Sequence, residues 1–412
     1  MESSASIVSG SATNLIKHNK SMGNEIMTNK KVERRDFIKK ASLGAAALGG
    51  AAVLSGCSNA STPAGGSGGA AAPAISKKKI QWTAVSAFGK AGLLGRALDR
   101  FAAFVGQASD GQLTIKTYHA GELVKGLEAM DAVQAGTAQM GFGAPYYWAG
   151  KSDSISFIAA MPFGLTAQEQ NAWAYNSGGI ELADKHAYNP LGLKFLPLGN
   201  TGNQMGGWYN KEINAEADLK GLKFRMPGLG GEILKSMGTN VILLPGSEVL
   251  VALTSGAIDG TEWIGPAADL GKGLHKVAKY YYYPGWHEPG TILDAFFDKK
   301  EWDALTPELR SIVEYAAATT NMQVLSEFQA INNIAIGKLI AEGVQVKKYN
   351  DGLVSAVAKR AETVIPALGA KSADSKAVFN NLIEFRNGMV QWGSYSEAAF
   401  MNARTAASFK KV

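Results

Sequence analysis

The stretch Leu222-Lys223-Phe224-Arg225-Met226-Pro227 decides how the fold of this chain is predicted. Its apolar residues alternate with two basic residues, a pattern that predicts a strand with one buried face and with Arg225 on the other. A guanidinium on a rigid strand is suited to binding a carboxylate, because its planar fork of donors matches the two oxygens. The alternative is an exposed arginine on an edge strand. The flanking sequence bears on this choice.

Two flanking segments place single polar side chains among small and aromatic residues. Gln204 lies in the glycine-rich run 199–207, which allows close approach of the backbone, and Glu262 precedes Trp263 at the end of a predicted strand. A buried glutamate requires a partner. That partner is either Arg225, in a structural ion pair, or a cation held together with Gln204 and backbone carbonyl groups. Oxygen ligands suit a hard ion, sodium or calcium, rather than zinc.

Farther out, strands and helices alternate in the manner of an α/β fold. The segment 80–85 is predicted as a strand, helical spacing of apolar residues follows it to the turn at Asp110-Gly111, and the segment 113–118 is again predicted as a strand. With 46% hydrophobic residues, the chain that follows residue 77 is long enough for two ordinary domains.

A helix, a glycine and a strand follow one another twice, about 120 residues apart. We interpret the two copies as corresponding units of two similar lobes, whose strand ends near Tyr146 and Glu262 face one central cleft. The matched positions are Glu128 with Glu248, Ala132 with Ala252, Gly136 with Gly256, and residues 138–142 with 258–262.

One helix is predicted to be long enough to cross both lobes. Thr306 is a suitable N-cap before a first-turn proline, and helical spacing continues to a glycine stop at Gly343. At about 1.5 Å per residue this element exceeds roughly 45 Å. The alternative is two helices that break near Asn332-Asn333. We predict lobe 1 at 78–202 and 290–328, lobe 2 at 203–289 and 329–385, and a C-terminal segment at 386–412.

The N-terminal residues 1–57 are predicted to be an export signal. Arg34-Arg35 matches the twin-arginine signal, and the apolar run 41–54 is too short for a mature membrane span. Cys57 is the only cysteine in 412 residues and resembles the acylated cysteine of bacterial lipoproteins, so we predict its lipidation. The alternative is cleavage nearby without a lipid, which leaves a soluble protein. Residues 58–77 are predicted to be a flexible tether of small residues.

Charge and motif content exclude several classes of function. The export signal holds eight basic and four acidic residues, so the rest of the chain keeps only +2 of the formal charge of +6, and nucleic-acid binding is not predicted. The sequence contains no metal-protease histidine pair, P-loop or cysteine pair. His287 is followed by Glu288, but adjacent residues of a strand point to opposite faces, so we expect a structural histidine and no shared site.

Three segments of the sequence resemble the solute-binding proteins of tripartite ATP-independent periplasmic (TRAP) transporters. The resemblance extends from about Ile80 to Leu382. Within that family, the Glu-Trp pair and the glutamine-containing segment are similar to the branch that binds small 2-oxo or 2-hydroxy monocarboxylates together with a metal ion. The usual leader of the family is a Sec signal peptide on a soluble protein, from which the twin-arginine lipoprotein leader departs. The three segments are 199–204, 219–225 and 256–263.

The resemblance implies a set of site residues. Arg225 would form a salt bridge with the ligand carboxylate. Gln204, Glu262 and the main-chain oxygen of Trp263 would hold the cation. One or both of two adjacent tyrosines would contact the ligand. The predicted substrate-binding residues are thus Arg225, Gln204, Glu262, Trp263, Tyr146 and Tyr147.

The sequence therefore predicts an α/β, two-lobed, periplasmic-binding-protein-like fold and a receptor that is not an enzyme. The receptor would capture a small organic acid with sodium or calcium and deliver it to the permease subunits of a TRAP transporter, on the periplasmic or cell-surface side of the inner membrane. A homodimer is compatible with the sequence, and the lipid would anchor the protein to the membrane. The alternatives are an exported metal-dependent hydrolase or lyase that uses Glu262, and a purely structural surface lipoprotein.

Overall fold

A computed structural model describes residues 78–409 of the chain. The predicted twin-arginine signal at Arg34-Arg35, the Cys57 lipidation site and the tether at 58–77 lie outside the described residues. Within residues 78–409, no helix has both the length and the apolar composition that are needed to span a bilayer.

The strands within the described range form two mixed sheets. Sheet 1 has the strand order β2-β1-β3-β10-β4, and sheet 2 has the order β11-β9-β5-β8-β6-β7, with the strands numbered along the chain. Their bounds are β1 (Ile80–Ser86), β2 (Leu113–Tyr118), β3 (Met140–Gly143), β4 (Leu193–Asn200), β5 (Gly207–Tyr209), β6 (Lys223–Arg225), β7 (Asn240–Ile242), β8 (Gly260–Thr261), β9 (Tyr280–Tyr283), β10 (Ile292–Asp298) and β11 (Gln345–Lys348).

The α-helices of the described range connect and cover these strands. A short 3₁₀ turn, Pro145–Trp148, follows β3 directly. The helices are α1 (Leu93–Ala108), α2 (Ala129–Gln134), α3 (Ile155–Ala159), α4 (Ala167–Asn176), α5 (Gly179–Ala183), α6 (Gly228–Ser236), α7 (Val249–Thr254), α8 (Pro266–Lys272), α9 (Lys299–Asp303), α10 (Pro307–Ala341), α11 (Asp351–Gly369), α12 (Ala373–Tyr395) and α13 (Glu397–Ala403).

The chain passes from sheet 1 to sheet 2 and back. In sheet 1, β1 is parallel to β2 and β3, as expected for strands that are joined through helices. β10 is antiparallel to β3 and β4, although five strands of sheet 2 lie between β4 and β10 in the sequence. The chain therefore leaves sheet 1 after β4 and returns to it at β10, and the predicted α/β fold is confirmed.

The duplicated unit predicted from the sequence is present in both sheets. α2 begins after Glu128 and α7 begins after Glu248. Each helix ends just before a glycine in the left-handed region, Gly136 with a φ of 74° and Gly256 with a φ of 73°, where a side chain would be strained. The strands that follow, β3 and β8, lie in different sheets. The two copies therefore belong to two lobes.

The helix α10 is continuous over 35 residues, a length of about 52 Å. The side chain of Thr306 caps it by accepting a hydrogen bond from the Leu309 amide at 3.3 Å. α10 packs on β4 of sheet 1 and on α8, which follows β8 of sheet 2. The helix does not break at Asn332, whose side-chain oxygen accepts from the Ala267 amide of α8 at 2.9 Å. The prediction of one helix that crosses both lobes is confirmed.

The two chain segments that cross between the sheets are hydrogen bonded to each other. The amide of Thr201 donates to the carbonyl of Thr291 at 3.1 Å, and the amide of Gln204 donates to the carbonyl of Glu288 at 3.2 Å. This pairing holds the side chains of Gln204 and Glu288 at the junction between the two lobes.

Candidate functional site

Arg225 ends β6, which lies inside sheet 2 between β7 and β8, and its side chain is only 1% exposed. Nε and Nη2 each donate to the carbonyl oxygen of Leu244 at 3.3 Å, and Nη1 donates to the carboxylate of Glu262. A guanidinium is retained in such a place only where acceptors and negative charge surround it. The alternative of an exposed arginine on an edge strand is therefore excluded.

Glu262 follows β8 and lies beside Arg225, because β6 and β8 pair in parallel. Its amide donates to the Arg225 carbonyl at 3.2 Å. One carboxylate oxygen, Oε1, accepts from Arg225, and the other, Oε2, lies 3.7 Å from Nε2 of His287. The structural ion pair that the sequence left open is thus present in this structure. It brings a carboxylate and a guanidinium to one buried place.

Gln204 projects into the same site from the first crossing segment. Its side-chain nitrogen donates to Thr201 Oγ1 at 3.1 Å, to Thr291 Oγ1 at 3.1 Å and to Glu288 Oε2 at 2.7 Å. Its side-chain oxygen is buried and has no hydrogen-bond partner among the described residues. A buried acceptor without a donor costs free energy. A cation is one group that would satisfy this oxygen.

Glu288 lies on the second crossing segment and is a site residue that sequence reasoning missed. Its Oε2 accepts hydrogen bonds from Gln204, from the Thr291 hydroxyl and from the Tyr146 hydroxyl, the last at 3.4 Å. Burial raises the pKa of Glu288 to about 7, and the nearby negative charge of Glu262 raises it in the same direction. A positive charge between the two carboxyl groups would relieve this repulsion.

The expectation that His287 and Glu288 share no site is wrong. β9 ends at Tyr283, so both residues lie in a turn, where the alternation of strand side chains does not apply. One ligand atom from each of Glu262, His287 and Glu288 lies within 4.8 Å of the other two. The signal for this turn was available in the sequence, because Pro-Gly dipeptides stand on both sides of it in the segment 284–290.

Tyr146 and Tyr147 reach the site from lobe 1, in the turn after β3. Besides its contact with Glu288, Tyr146 packs closely on Gly228, at the start of α6 in lobe 2, where a Cβ atom would come within 3.1 Å of the Tyr146 ring. Burial raises the pKa of Tyr147 to about 12, although the nearby charge of Arg225 lowers it in part. Both tyrosines are therefore buried between the lobes, as predicted for the two strand ends.

Trp263 closes the site beside Arg225 and is 9% exposed. The guanidinium carbon of Arg225 lies 5.3 Å from the centroid of the indole, and Nζ of Lys272 lies 4.1 Å from it. Burial, and next the charge of Arg225, lower the pKa of Lys272 to about 8. The role predicted for the main-chain oxygen of Trp263 stays a prediction.

The donor set of the site fits a hard cation. Glu262 and Glu288 offer carboxylate oxygens within 4.8 Å of each other, and Gln204, whose side-chain nitrogen contacts Glu288, carries an unpartnered amide oxygen. Oxygen atoms are the ligands that sodium and calcium prefer. Arg225 offers a fork of donors beside them. Together these groups are able to hold a small anion and a cation in one buried place.

Comparison with known proteins identifies the family. Residues 87–371 match the family of bacterial extracellular solute-binding proteins, family 7. The chain belongs to this family. Family 7 proteins are substrate-binding receptors of transporters, so the prediction of a receptor rather than an enzyme is confirmed. The comparisons give no support to the alternative of an exported hydrolase or lyase.

Individual family 7 proteins are similar over most of the folded chain. The monocarboxylate 2-oxoacid-binding periplasmic protein of Nostoc sp. is 40% identical over 298 residues, which are 72% of this chain and 82% of that protein. A TRAP periplasmic solute-binding protein of Pseudoalteromonas atlantica, solved with bound sodium and pyruvate, has a TM-score of 0.77 and 34% identity, covering 81% of this chain and all of that one.

A third relative adds a different ligand and an assembly. The TRAP transporter solute-binding protein of Bordetella bronchiseptica has a TM-score of 0.78 and 33% identity, and the match covers 80% of this chain and 98% of that one. Its structure is a mixed-occupancy dimer, with copurified calcium and picolinate in one active site and an apo second site. The predicted resemblance to TRAP solute-binding proteins and the two-lobed fold are both confirmed by these matches.

Proposed function

We propose that this family 7 protein captures a small 2-oxo or 2-hydroxy monocarboxylate together with a sodium or calcium ion and delivers both to the permease subunits of a TRAP transporter. One observation carries the proposal. A single buried site joins the donor fork of Arg225 to two carboxyl groups, Glu262 and Glu288, and to the unpartnered oxygen of Gln204. Relatives that bind pyruvate with sodium, or picolinate with calcium, support it.

In this proposal Arg225 binds the carboxylate of the ligand. Arg225 donates to Glu262 in the present structure, so ligand binding exchanges one carboxylate partner for another. Glu262, Gln204 and the main-chain oxygen of Trp263 hold the cation, and Glu288 joins them as an additional oxygen ligand. Each of these groups is already buried, so little further desolvation is needed when the ligand enters.

Tyr146 and Tyr147 are proposed to cover the ligand from lobe 1. Arg225, Glu262 and Trp263 belong to lobe 2, so a ligand between them contacts both lobes and favours the closed form over the open form. For the lobe boundaries we propose the sequence-based ranges given above. They are supported by the strands, because the strands of sheet 1 lie within 78–202 and 290–328, and those of sheet 2 within 203–289 and 329–385.

The experiment that tests the function is native mass spectrometry of the purified mature protein, followed by titration calorimetry with pyruvate and lactate in sodium and in calcium buffers. We expect one acid and one cation per site. Glu262→Gln should weaken acid binding, and excess cation should restore part of the affinity through linkage between the two ligands. A parent protein that binds no 2-oxo or 2-hydroxy acid in either buffer would refute the proposal, and turnover of the bound acid would favour an enzyme.

The route to the membrane surface is proposed from the leader alone. The twin arginines Arg34 and Arg35 are proposed to direct export, and Cys57 is proposed to carry a lipid that holds the protein on the periplasmic or cell-surface side of the inner membrane. The tether at 58–77 would let the binding lobes reach the permease while the lipid stays in the bilayer.

A homodimer is proposed to form through the C-terminal helices. Tyr395 is 76% exposed and Trp392 is 59% exposed, and an apolar surface of this kind is costly in water unless a partner covers it. The partner that we propose is a second copy of this chain, because the related protein from Bordetella bronchiseptica is a dimer. The exposed apolar residues of this surface are Val390, Trp392, Tyr395, Phe400, Met401 and Phe409.

Light scattering after size-exclusion chromatography tests the dimer. The parent is expected at twice the mass of the chain, and the double variant Trp392→Ser with Tyr395→Ser at the mass of one chain. Leu123→Ser is the matched control, because Leu123 is also exposed but follows β2 in lobe 1. A parent that stays monomeric at high concentration would contradict the dimer.

A further inference from the structure

His287 is a buried polar side chain that the roles proposed above leave unused. It is 1% exposed, and neither ring nitrogen has a hydrogen-bond partner among the described residues. An imidazole always carries at least one N–H donor, and a buried donor without an acceptor costs free energy. The ring is therefore placed to contact a group that is not among the described residues, such as a bound ligand.

The position of the His287 ring is fixed by its neighbours. A Cβ atom at Gly230, in the first turn of α6, would come within 2.8 Å of the His287 Cβ, so α6 approaches the histidine as closely as a glycine allows. The ring of Trp286 meets the imidazole edge to face, with 5.6 Å between the ring centroids. A ring between these neighbours has little room to move, and a held side chain is a requirement for selective hydrogen bonding.

The ring is aimed at the same carboxylate that Arg225 contacts. Nε2 of His287 lies 3.7 Å from Oε2 of Glu262, while Nη1 of Arg225 donates to Oε1. The imidazole of His287 and the guanidinium of Arg225 therefore flank one carboxylate. If the carboxylate of a bound acid accepts hydrogen bonds from Arg225, the atoms next to that carboxylate come close to His287. In a 2-oxo or 2-hydroxy acid, the oxygen on C2 is directly adjacent to the carboxylate.

We propose that His287 donates a hydrogen bond to the C2 oxygen of the bound acid, and that it thereby sets the preference for 2-oxo and 2-hydroxy acids over carboxylates that lack this oxygen. This inference rests on the function proposed above. A site that hydrogen bonds a ligand oxygen rejects an analogue without it, because the buried group of the site is then left unpaired. Arg225 recognises the carboxylate that all of these compounds share. His287 recognises the C2 oxygen, which distinguishes 2-oxo and 2-hydroxy acids from carboxylates that lack it.

The test compares pyruvate with propionate, which has the same three carbons but no C2 oxygen. The parent, His287→Phe and His287→Gln are titrated with pyruvate at saturating sodium and at saturating calcium, and propionate is measured by displacement of pyruvate. His287→Phe should weaken pyruvate binding by about tenfold and propionate binding by less than about threefold. His287→Gln should recover most of the pyruvate affinity, since the amide nitrogen of glutamine reaches the place of Nε2.

His275→Phe is the matched control. His275 is also a buried histidine beside a glutamate, with Nε2 2.9 Å from Glu342, but it lies outside the site, so both acids should bind as they do to the parent. Equal losses for pyruvate and propionate would overturn the inference and make His287 a positioning residue for Glu262. A glutamine variant that binds pyruvate no better than the phenylalanine variant would also overturn it. So would a loss of pyruvate affinity that higher cation concentrations remove, because His287 would then be a cation ligand.

The two proposals fail in different ways. A parent that binds none of the acids overturns the proposed function and this inference together. A parent that binds pyruvate, with His287 variants that bind both acids as the parent does, overturns the role of His287 alone.

Discussion

Replacing Arg225 by methionine is expected to remove nearly all affinity for the acid. In the proposed function, Arg225 is the charge partner of the ligand carboxylate, and its side chain is only 1% exposed. Removing one partner of a buried ion pair costs roughly 3 to 5 kcal/mol. Because about 1.4 kcal/mol corresponds to a tenfold change in affinity, binding should weaken by more than about a hundredfold.

Arg225→Lys should recover little of this loss. The structure uses Nε, Nη1 and Nη2 of the guanidinium at once, two of them on the Leu244 carbonyl and one on Glu262. A lysine keeps the charge but offers a single nitrogen, so it cannot hold its own position and grip both ligand oxygens. Arg225→Met also loses the ion pair with Glu262 and Arg225→Lys changes its geometry, so the unfolding free energy of both variants should be measured beside the affinity.

The assay is titration calorimetry with pyruvate at fixed sodium or calcium. Lys223→Met is the matched control, because Lys223 lies on the same strand but is partly exposed and donates to the Gly256 carbonyl, away from the site. Its affinity should equal that of the parent. An Arg225→Met protein that is folded and binds pyruvate as tightly as the parent would refute the carboxylate role of Arg225.

Three further predictions concern the cation, the pH dependence of stability and the leader. Glu288→Gln should weaken acid binding mainly through the cation, so excess sodium or calcium should restore part of it in the same titration, and a loss that no cation concentration changes would contradict this. Burial raises the pKa of Asp294 to about 7, so the folded state keeps its proton between about pH 4 and 7, and stability falls as pH rises through that window. Between pH 4 and pH 8, this group should lower the unfolding free energy in urea by roughly 4 kcal/mol, and Asp294→Asn should remove that fall. An unchanged difference between the two pH values would contradict this prediction. In cell fractionation, Arg34→Lys with Arg35→Lys should leave precursor in the cytoplasm, and Cys57→Ser should release the protein from membranes; normal export or unchanged membrane association would count against the respective signal.

The parts of the fold that were predicted from the sequence have local causes. Thr306 caps α10 through its own side chain, and Gly136 and Gly256 end two helices because their backbone conformation disfavours other residues. Such features depend on a few neighbouring residues, so a single sequence displays them. The alternation of apolar and basic residues around Arg225 was less informative about which side chains are buried. It predicted one exposed face for β6, but Phe224 and Arg225 are both buried, since a second covering layer comes from segments far away in the sequence.

The site was predicted to the extent that its residues stand in distinctive local segments. Such segments contain Gln204, Glu262 and Arg225, and the structure brings these residues together. Glu288 and His287 were missed because the strand rule was applied beyond Tyr283, where the chain turns. Their closeness to Glu262 results from the second crossing between the lobes, which no local pattern specifies.

The arrangement of charges gives a physical reason for the acid and the cation to bind together. In the structure, Arg225 donates a hydrogen bond to Glu262. In the proposed function, a ligand carboxylate replaces Glu262 as the partner of Arg225. Glu262 is then buried without a positive partner, beside the second carboxyl group of Glu288. An unpaired buried charge costs several kcal/mol. A second positive charge among Glu262, Glu288 and the free oxygen of Gln204 removes that cost. In the proposed function, the acid therefore prepares a site for the cation and the cation releases Arg225 to bind the acid. If the two ligands are coupled in this way, each raises the affinity of the other by the same factor.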